Sequence, residues 1–396
     1  MHMSINRQHR ICIILGTRPE AIKLAPIIRA FQQSSNFLVN VILTGQHQEM
    51  VFQVMNLFGL IADSNLAIMQ PKQSLTDITC RSLLGLEECF QELRPDLVLV
   101  QGDTTTAFAA TLAAFYQKIP VGHVEAGLRT DNIYSPFPEE INRRLISQAA
   151  TLHFAPTDRA VQHLHKSGVL GNIYKTGNTV IDALLEVVSY RPTCPIPGLD
   201  WDNYRVLLAT VHRRENCGVP LTHIAEAFLT VLDKFPDTAL LLPLHRNPIV
   251  RKPLTELLGN HSRIFLTDPL DYAELVGAMQ RCYLLLTDSG GLQEEAPALG
   301  KPVLVLRDTT ERPEAIEAGT ARLIGTDATT IVQAASQLLS QPETYEVMAR
   351  AANPFGDGQA SVYILKAVEE FFSVNSSKSI ANNTLGKNSP SILPIS

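Results

Sequence analysis

Short runs of β-branched residues and leucine return along the whole chain with longer amphipathic stretches between them, and no other feature constrains the fold as tightly. A short apolar run bounded by turn residues fits a strand buried on both faces, which is the situation of a parallel sheet covered by helices. In the first half the candidate strands are Ile11–Leu15, Val39–Leu43, Leu97–Val100, Val121–Val124 and Leu152–Ala155, with helical stretches such as Ala21–Phe31 and Thr105–Tyr116 after polar turns. The second half repeats the scheme with Val206–Thr210, Ala239–Leu242, Ile264–Leu266, Tyr283–Thr287 and Val303–Leu306. The fold class expected is α/β, built from two successive sets of βα units.

At 396 residues the chain exceeds what one core usually serves, and Arg191–Asp200 carries three prolines and a glycine that suit neither a helix nor a central strand. An N-terminal domain over 1–190, a linker over 191–200 and a C-terminal domain over 201–359 are therefore expected. From Ser373 the sequence is rich in Ser and Asn without an apolar period, so 373–396 reads as a disordered tail. A net charge of −6 argues against nucleic acid as a partner, so any bound phosphate must be met by a few placed groups. The six cysteines are scattered with no metal-ligand spacing, which predicts free thiols and no metal. Only five apolar residues, Ile11–Leu15, follow the basic N-terminus, too few for a secretion signal, and no uncharged apolar run approaches the roughly 20 residues of a membrane span. A cytoplasmic protein with no membrane partner is the expectation.

In open parallel sheets ligands bind outside the carboxyl ends of the strands, and the polar motifs collect there. After the first strand, Gly16-Thr17-Arg18-Pro19-Glu20 offers a helix start and a guanidinium suited to phosphate. After Tyr283–Thr287, Asp288-Ser289-Gly290-Gly291 offers a hydroxyl and two glycines that let an anion approach the backbone. Either segment alone also reads as an ordinary turn and cap. Asp103 follows one strand in QGDTTT, Glu125 and Arg129 follow another in GHVEAGLRT, Glu139 opens a helix after SPFP, and His212 follows the first strand of the second half in HRREN. Each carboxylate alone fits a cap or an ion pair, and a lone histidine is more often structural than catalytic. All of them at one rim, beside two phosphate cradles, point to a site. No G-x-G-x-x-G follows a strand and no G-x-x-x-x-G-K-[ST] occurs, which argues against a held NAD and a kinase-type loop.

Cradles on both halves suit a nucleoside diphosphate spanning a cleft, and carboxylates opposite suit proton transfer on what it carries. If that is a sugar, inversion through a ketone needs a hydride carrier that no motif would hold. The remaining route removes a C–H proton while the nucleotide leaves, then restores both from the opposite face. One placed acid or base contributes about 10² to 10⁴ in rate, and stabilising the departing diphosphate supplies much of the rest.

The segments GTRPEAIKLAP, QGDTTT, VGHVEAGLRT, SPFPEEINR, HRREN, TDSGGLQEEAPALGKPVLVLRDTTERPEA and NPFGDGQAS together resemble the non-hydrolysing UDP-N-acetylglucosamine 2-epimerase family, from about Ile11 to Phe372. The resemblance implies two Rossmann-like domains facing across a cleft, as in B-type glycosyltransferases, with the last helix, 360–372, packing back on the first domain. It implies reversible C2 epimerisation to UDP-N-acetylmannosamine by elimination of UDP and re-addition through 2-acetamidoglucal, with no cofactor and a homodimer. Asp103, Glu125 and Glu139 would be the acid/base carboxylates, with His212 beside the diphosphate. Arg18, Ser289, Gly290 and Gly291 would hold the phosphates, Lys23 would lie near the same cleft, Glu295 would take the ribose hydroxyls, and Arg312 would approach the sugar and phosphate from the second domain. The uracil would rest against the stretch from Leu270 to Leu275, where Leu275 replaces an expected aromatic. Gln46, His47, Gln70 and His245 resemble a second, allosteric substrate site. A hydrolysing epimerase releasing N-acetylmannosamine, a glycosyltransferase of the same fold and a nucleotide-sugar sensor are the competing functions.

Overall fold

The structure, a computed structural model, describes residues 8–385 apart from His47, Pro71 and Asp131. Its first half runs β1 (His9–Leu15), α1 (Arg18–Gln33), β2 (Phe37–Leu43), α2 (Gln48–Leu57), β3 (Ser64–Asn65), α3 (Leu75–Leu93), β4 (Leu97–Gln101), α4 (Thr105–Tyr116), β5 (Val121–Val124), α5 (Glu139–Ala149), β6 (Leu152–Ala155), α6 (Asp158–Lys166), β7 (Asn172–Lys175) and α7 (Thr179–Ser189). The second half runs β8 (Arg205–Thr210), α8 (Val219–Lys234), β9 (Thr238–Pro243), α9 (Pro248–Leu258), β10 (Ile264–Thr267), α10 (Tyr272–Arg281), β11 (Leu284–Thr287), α11 (Leu292–Ala298), β12 (Val303–Val305), α12 (Pro313–Glu317), β13 (Ala321–Leu323), α13 (Ala328–Ser340), α14 (Pro342–Ala349) and α15 (Ala360–Leu385).

Every strand pairing is parallel, in a seven-stranded sheet ordered β3-β2-β1-β4-β5-β6-β7 and a six-stranded sheet ordered β10-β9-β8-β11-β12-β13. Strand β1 shows why its apolar run is continuous: Ile11, Ile13 and Leu15 pack with α1 residues on one face, while Cys12 and Ile14 pack with α3 and α4 residues on the other. Strands β3, β7 and β13, which the apolar runs did not announce, are edge strands carrying polar or exposed residues.

The two halves share a core. Val180 and Leu184 of α7 belong to the same apolar cluster as Ile27 of α1, Val276 of α10 and Ile364 of α15. Residues 350–359 return the chain to the first half, and the crossing is tight: a Cβ on Gly177, at φ +84°, would lie 3.2 Å from the Cα of Gly356. There the Asn178 N–H donates to the Phe355 carbonyl at 2.7 Å. Helix α15 then starts on the buried Asp182 carboxylate of α7, which accepts from the Ala360 N–H at 3.1 Å, the Ser361 N–H at 2.8 Å and the Ser361 hydroxyl at 2.7 Å.

Helix α15 corrects two expectations, because it ends at Leu385 rather than 372, and residues 373–385 of the expected tail are helical. The polar composition there lacks an apolar period but also lacks glycine or proline until Gly386, so nothing in the sequence stops the helix earlier. Residues 386–396 lie outside the described part. Among the described residues no helix is long and apolar enough to cross a membrane.

The Asp182 cap predicts a measurable cost. Asp182→Ala should destabilise the protein by about 1–2 kcal/mol, the usual loss for an N-terminal cap. A thermal melt at neutral pH should fall by several degrees, and hydrogen exchange should accelerate at the first turn of α15. Unchanged protection there would mean that α15 is held by its apolar face alone.

Candidate active site between the two sheets

Each sheet reverses its strand order once, between β1 and β4 in the first and between β8 and β11 in the second. A crevice opens outside the carboxyl ends of strands at such a reversal. The segments following these four strands are Gly16–Arg18, Gly102–Thr104, Val211–His212 and Asp288–Gly291, so four of the motifs singled out in the sequence occupy the two reversal points. Between them lies a cleft of about 650 Å³ whose wall includes Arg18, Lys23, His212, His245, Ser289 and Arg312. Leu270, Tyr272 and Leu275 supply an apolar side of the same cleft, with Glu295 and Gly291 near it.

Asp103, Glu125 and Glu139 are not among the residues lining this cleft, and Glu125 is joined to it through Lys23 and Arg312, which are. Glu125, just past β5, adopts φ +62°, a conformation that costs a non-glycine residue energy and is held only where its surroundings demand it. Those surroundings are donors: Lys23 Nζ reaches both Glu125 oxygens at 2.7 and 2.6 Å, Asn178 Nδ2 donates at 3.0 Å, and Gln101 Nε2 donates as well. Burial alone would raise the Glu125 carboxyl, but Lys23 and Arg312 outweigh it and hold it below the ordinary carboxylate range. A Cβ on Gly102 would lie 3.8 Å from Glu125 Oε2, which puts Glu125 against the turn that carries Asp103.

Asp103 behaves oppositely. Burial pushes its carboxyl up to about 6, with Arg143 opposing the shift and the Glu125 and Glu139 charges adding to it. Arg143 Nη2 lies 3.1 Å from Asp103 Oδ2. Glu139 opens α5, half-buried, and its carboxylate has no hydrogen-bond or ion-pair partner among the described residues, whereas its neighbour Glu140 is fully buried against Thr130 and Arg144.

From the second half, His212 presents its ring to the cleft with Nδ1 2.8 Å from Asp288 Oδ1. Asp288 is fully buried and its Oδ2 accepts the backbone N–H groups of His212 and Arg213 at 2.9 and 2.8 Å, so one carboxylate fixes both the ring and the loop. Arg312 is buried against Glu294 and lies 3.9 Å from Glu125, which joins the two halves electrostatically. Glu295 accepts a hydrogen bond from the Tyr272 hydroxyl at 2.8 Å, and burial pushes its carboxyl up to about 7.

Not every expected residue meets at the cleft. Arg129 turns away to Ser147, Ser167 and the Leu128 carbonyl, so it builds the first half. Gln46 is half-buried and accepts from the Thr106 hydroxyl at 3.0 Å and Gln70 is exposed, and neither lines the cleft, whereas His245, exposed with its ring 6.1 Å from that of His212, does. His47 lies outside the described residues. Conversely, Asn178 and Glu294 take part without having been given roles from the sequence, and Tyr272 and Asp288, expected only as parts of the uracil stretch and the second cradle, hold Glu295 and His212. Asn178 and Asp288 look locally like a helix cap and a turn acid, and Glu294 looks like one more helical glutamate beside Glu295.

The Glu295 environment has a consequence for stability. Because its carboxyl binds a proton more tightly when folded, the favourable contribution is complete below about pH 4 and is lost as pH rises through about 7. At pH 8 the buried charge therefore costs on the order of 3 kcal/mol. Glu295→Gln, which keeps an acceptor for Tyr272, should raise the thermal midpoint at pH 8 and leave it unchanged at pH 4. A midpoint that does not rise at pH 8 would mean the carboxylate carries no such cost.

The family model for UDP-N-acetylglucosamine 2-epimerase matches residues 29–369. The chain is 48% identical over 370 residues to the UDP-N-acetylglucosamine 2-epimerase of Escherichia coli (strain K12), covering 91% of this chain and 98% of that protein. The crystal structure of UDP-GlcNAc 2-epimerase from Neisseria meningitidis bound to UDP-GlcNAc superposes with a TM-score of 0.85 at 46% identity, covering 91% of this chain and 100% of that one. A sucrose-phosphate synthase from Thermosynechococcus elongatus, 12% identical with a TM-score of 0.63, shares the two-sheet fold alone. With its sheet order, its strand-end motifs and this likeness all in accord, the chain belongs to the UDP-N-acetylglucosamine 2-epimerase family.

Proposed function

We propose that the protein interconverts UDP-N-acetylglucosamine and UDP-N-acetylmannosamine without net hydrolysis. The observation that carries this reading is the placing of Glu125 against the turn that bears Asp103, with Lys23 and Asn178 on Glu125 and Arg143 on Asp103, beside a cleft lined by Arg18, Lys23 and Arg312; these partners drive the two proton affinities apart. Two carboxylates separated in this way are suited to opposite acid and base duties. Glu125, held ionised, takes the proton from C2 while the C1–O bond breaks, its electron pair leaving with UDP as the C1–C2 double bond forms. Asp103, which holds its proton closer to neutrality, returns one to C2 from the opposite face as a UDP oxygen rejoins C1. Glu139, near Asp103 and free of partners among the described residues, exchanges that proton with solvent.

The departing diphosphate is met by Arg18, Lys23 and Arg312, by the Ser289-Gly290-Gly291 turn, and by His212, whose ring Asp288 fixes in place. Leu270, Tyr272 and Leu275 receive the uracil, and Glu295 the ribose. Gln46, Gln70 and His245 belong, in this reading, to a second substrate site that biases closure of the cleft; His245 is supported by its place in the cleft wall.

The test is a proton NMR time course with UDP-N-acetylglucosamine alone and no nicotinamide. Signals of UDP-N-acetylmannosamine should grow to an equilibrium mixture with no free sugar. Stoichiometric N-acetylmannosamine and UDP would establish the hydrolysing reaction instead, and unchanged substrate until an acceptor is added would establish a transferase. Asp103→Asn and Glu125→Gln should each lower kcat by about 10² to 10⁴ with KM little changed, since groups that act in the transition state leave ground-state binding nearly intact. Parent kcat in both variants would make these carboxylates structural.

A further inference from the structure

The turn bearing Asp103 is gripped at three consecutive residues by three side chains that take no part in the chemistry above. We propose that His123, Asn142 and Glu20 are the positioning residues of Asp103, each fixing its turn to a different element of the site. The proposal rests on the reading of Asp103 as a proton-exchanging group.

Gly102 takes φ +68° and bends the chain sharply out of β4, leaving its carbonyl turned to the interior. His123 Nε2 meets that carbonyl at 2.7 Å. Asn142 Nδ2 donates to the Asp103 carbonyl at 2.9 Å, and the Thr104 hydroxyl donates to Glu20 Oε1 at 2.5 Å. The three grips come from β5, α5 and α1. These elements also deliver Glu125 two residues after His123, Glu139 at the start of α5, and Arg18 and Lys23 on α1. Each grip therefore sets Asp103 in register with one other part of the site. The Glu20 grip reaches furthest, because its Oε2 also accepts the N–H groups of Gly16 and Thr17 at 2.9 and 2.6 Å. One buried carboxylate thus spans the loop before α1 and the start of α4.

Packing alone does not account for His123. A carbonyl only accepts, so Nε2 carries the proton and Nδ1 is left as an acceptor, with no partner among the described residues. Burying an unpaired nitrogen costs free energy that an aliphatic side chain in a central strand would avoid. Burial, together with neighbouring His153 and Arg129 and against the pull of Glu125, drives the ring down to about 3, so it is a neutral donor at any working pH. The compensation visible in the structure is the bond to the Gly102 carbonyl.

The test compares His123→Phe, His123→Gln and Asn142→Ala with the parent and with Asp103→Asn, after circular dichroism and thermal melts. Phe fills the space without a donor, whereas the Gln amide nitrogen reaches about as far as Nε2. His123→Phe should keep KM for UDP-N-acetylglucosamine and lower kcat by about 10²-fold, the scale of a small misplacement of a reacting group. It should also shift the limb that Asp103, facing Arg143, Glu125, Glu139 and Lys23, is expected to give the pH profile. His123→Gln should recover most of the rate, and Asn142→Ala should move kcat the same way as Phe. The proposal fails if His123→Phe keeps the parent kcat and profile, or if Gln is as slow as Phe; should the Phe variant not fold, an unchanged kcat in Asn142→Ala defeats it. Full activity in Asp103→Asn would defeat the functional reading itself, while an inactive Asp103→Asn beside a fully active His123→Phe defeats only the positioning role.

Discussion

Asn178 Nδ2 donates to Glu125 at 3.0 Å and to Glu294 at 2.6 Å, one carboxylate following a strand of the first sheet and the other on a helix of the second half. Two carboxylates brought to one amide would repel each other, and they stay together because Lys23 approaches Glu125 from α1 while Arg312 approaches Glu294 from the loop before α12. Burial by itself would weaken Lys23 and Arg312 as cations, yet the two glutamates hold both above their ordinary range. Two buried positive and two buried negative groups thus balance at the seam between the sheets. Removing any one of them would strand a charge in a place that cannot solvate it, a loss of about 3–5 kcal/mol for a buried pair.

The rest of the site depends on this arrangement. It holds Glu125 at a positive φ and keeps it ionised, and it brings Arg312 from the second half to within reach of the first. The contrast with Asp103, in the turn after the neighbouring strand, follows from the same balance. Burial disfavours the charge on both, and Lys23 and Arg312 outweigh it at Glu125, whereas at Asp103 it prevails over Arg143, with the Glu125 and Glu139 charges adding to it. One set of buried groups therefore separates the two proton affinities that the proposed reaction requires.

Much of this was legible in the sequence because strand ends in parallel sheets are where functional side chains appear, and Asp103, Glu125 and His212 each lie within two residues of a strand end. What stayed hidden has physical causes. Strands β3, β7 and β13 lie at sheet edges, where burial on one side or none leaves no apolar run to read. Asn178 reads as a helix cap, and it is one, accepting from the Val180 N–H at 3.1 Å, while its other end performs the bridging that only tertiary contact creates. Glu294 and Glu295 are adjacent and alike in sequence, yet one faces Arg312 and Asn178 and the other Tyr272. The Ser- and Asn-rich stretch after 372 was read by composition, whereas the helix obeys the absence of a stop signal before Gly386.

The central claim is that one carboxylate removes the C2 proton and another returns one from the opposite face. Turnover of UDP-N-acetylglucosamine in D₂O measures this directly by the isotope at C2 of the product. Two groups exchanging with solvent place deuterium there, at a rate matching epimerisation and without any added redox cofactor. UDP-N-acetylmannosamine that retains full protium at C2 would contradict the claim, because the original hydrogen would then have been carried across without ever reaching a carboxylate in contact with water.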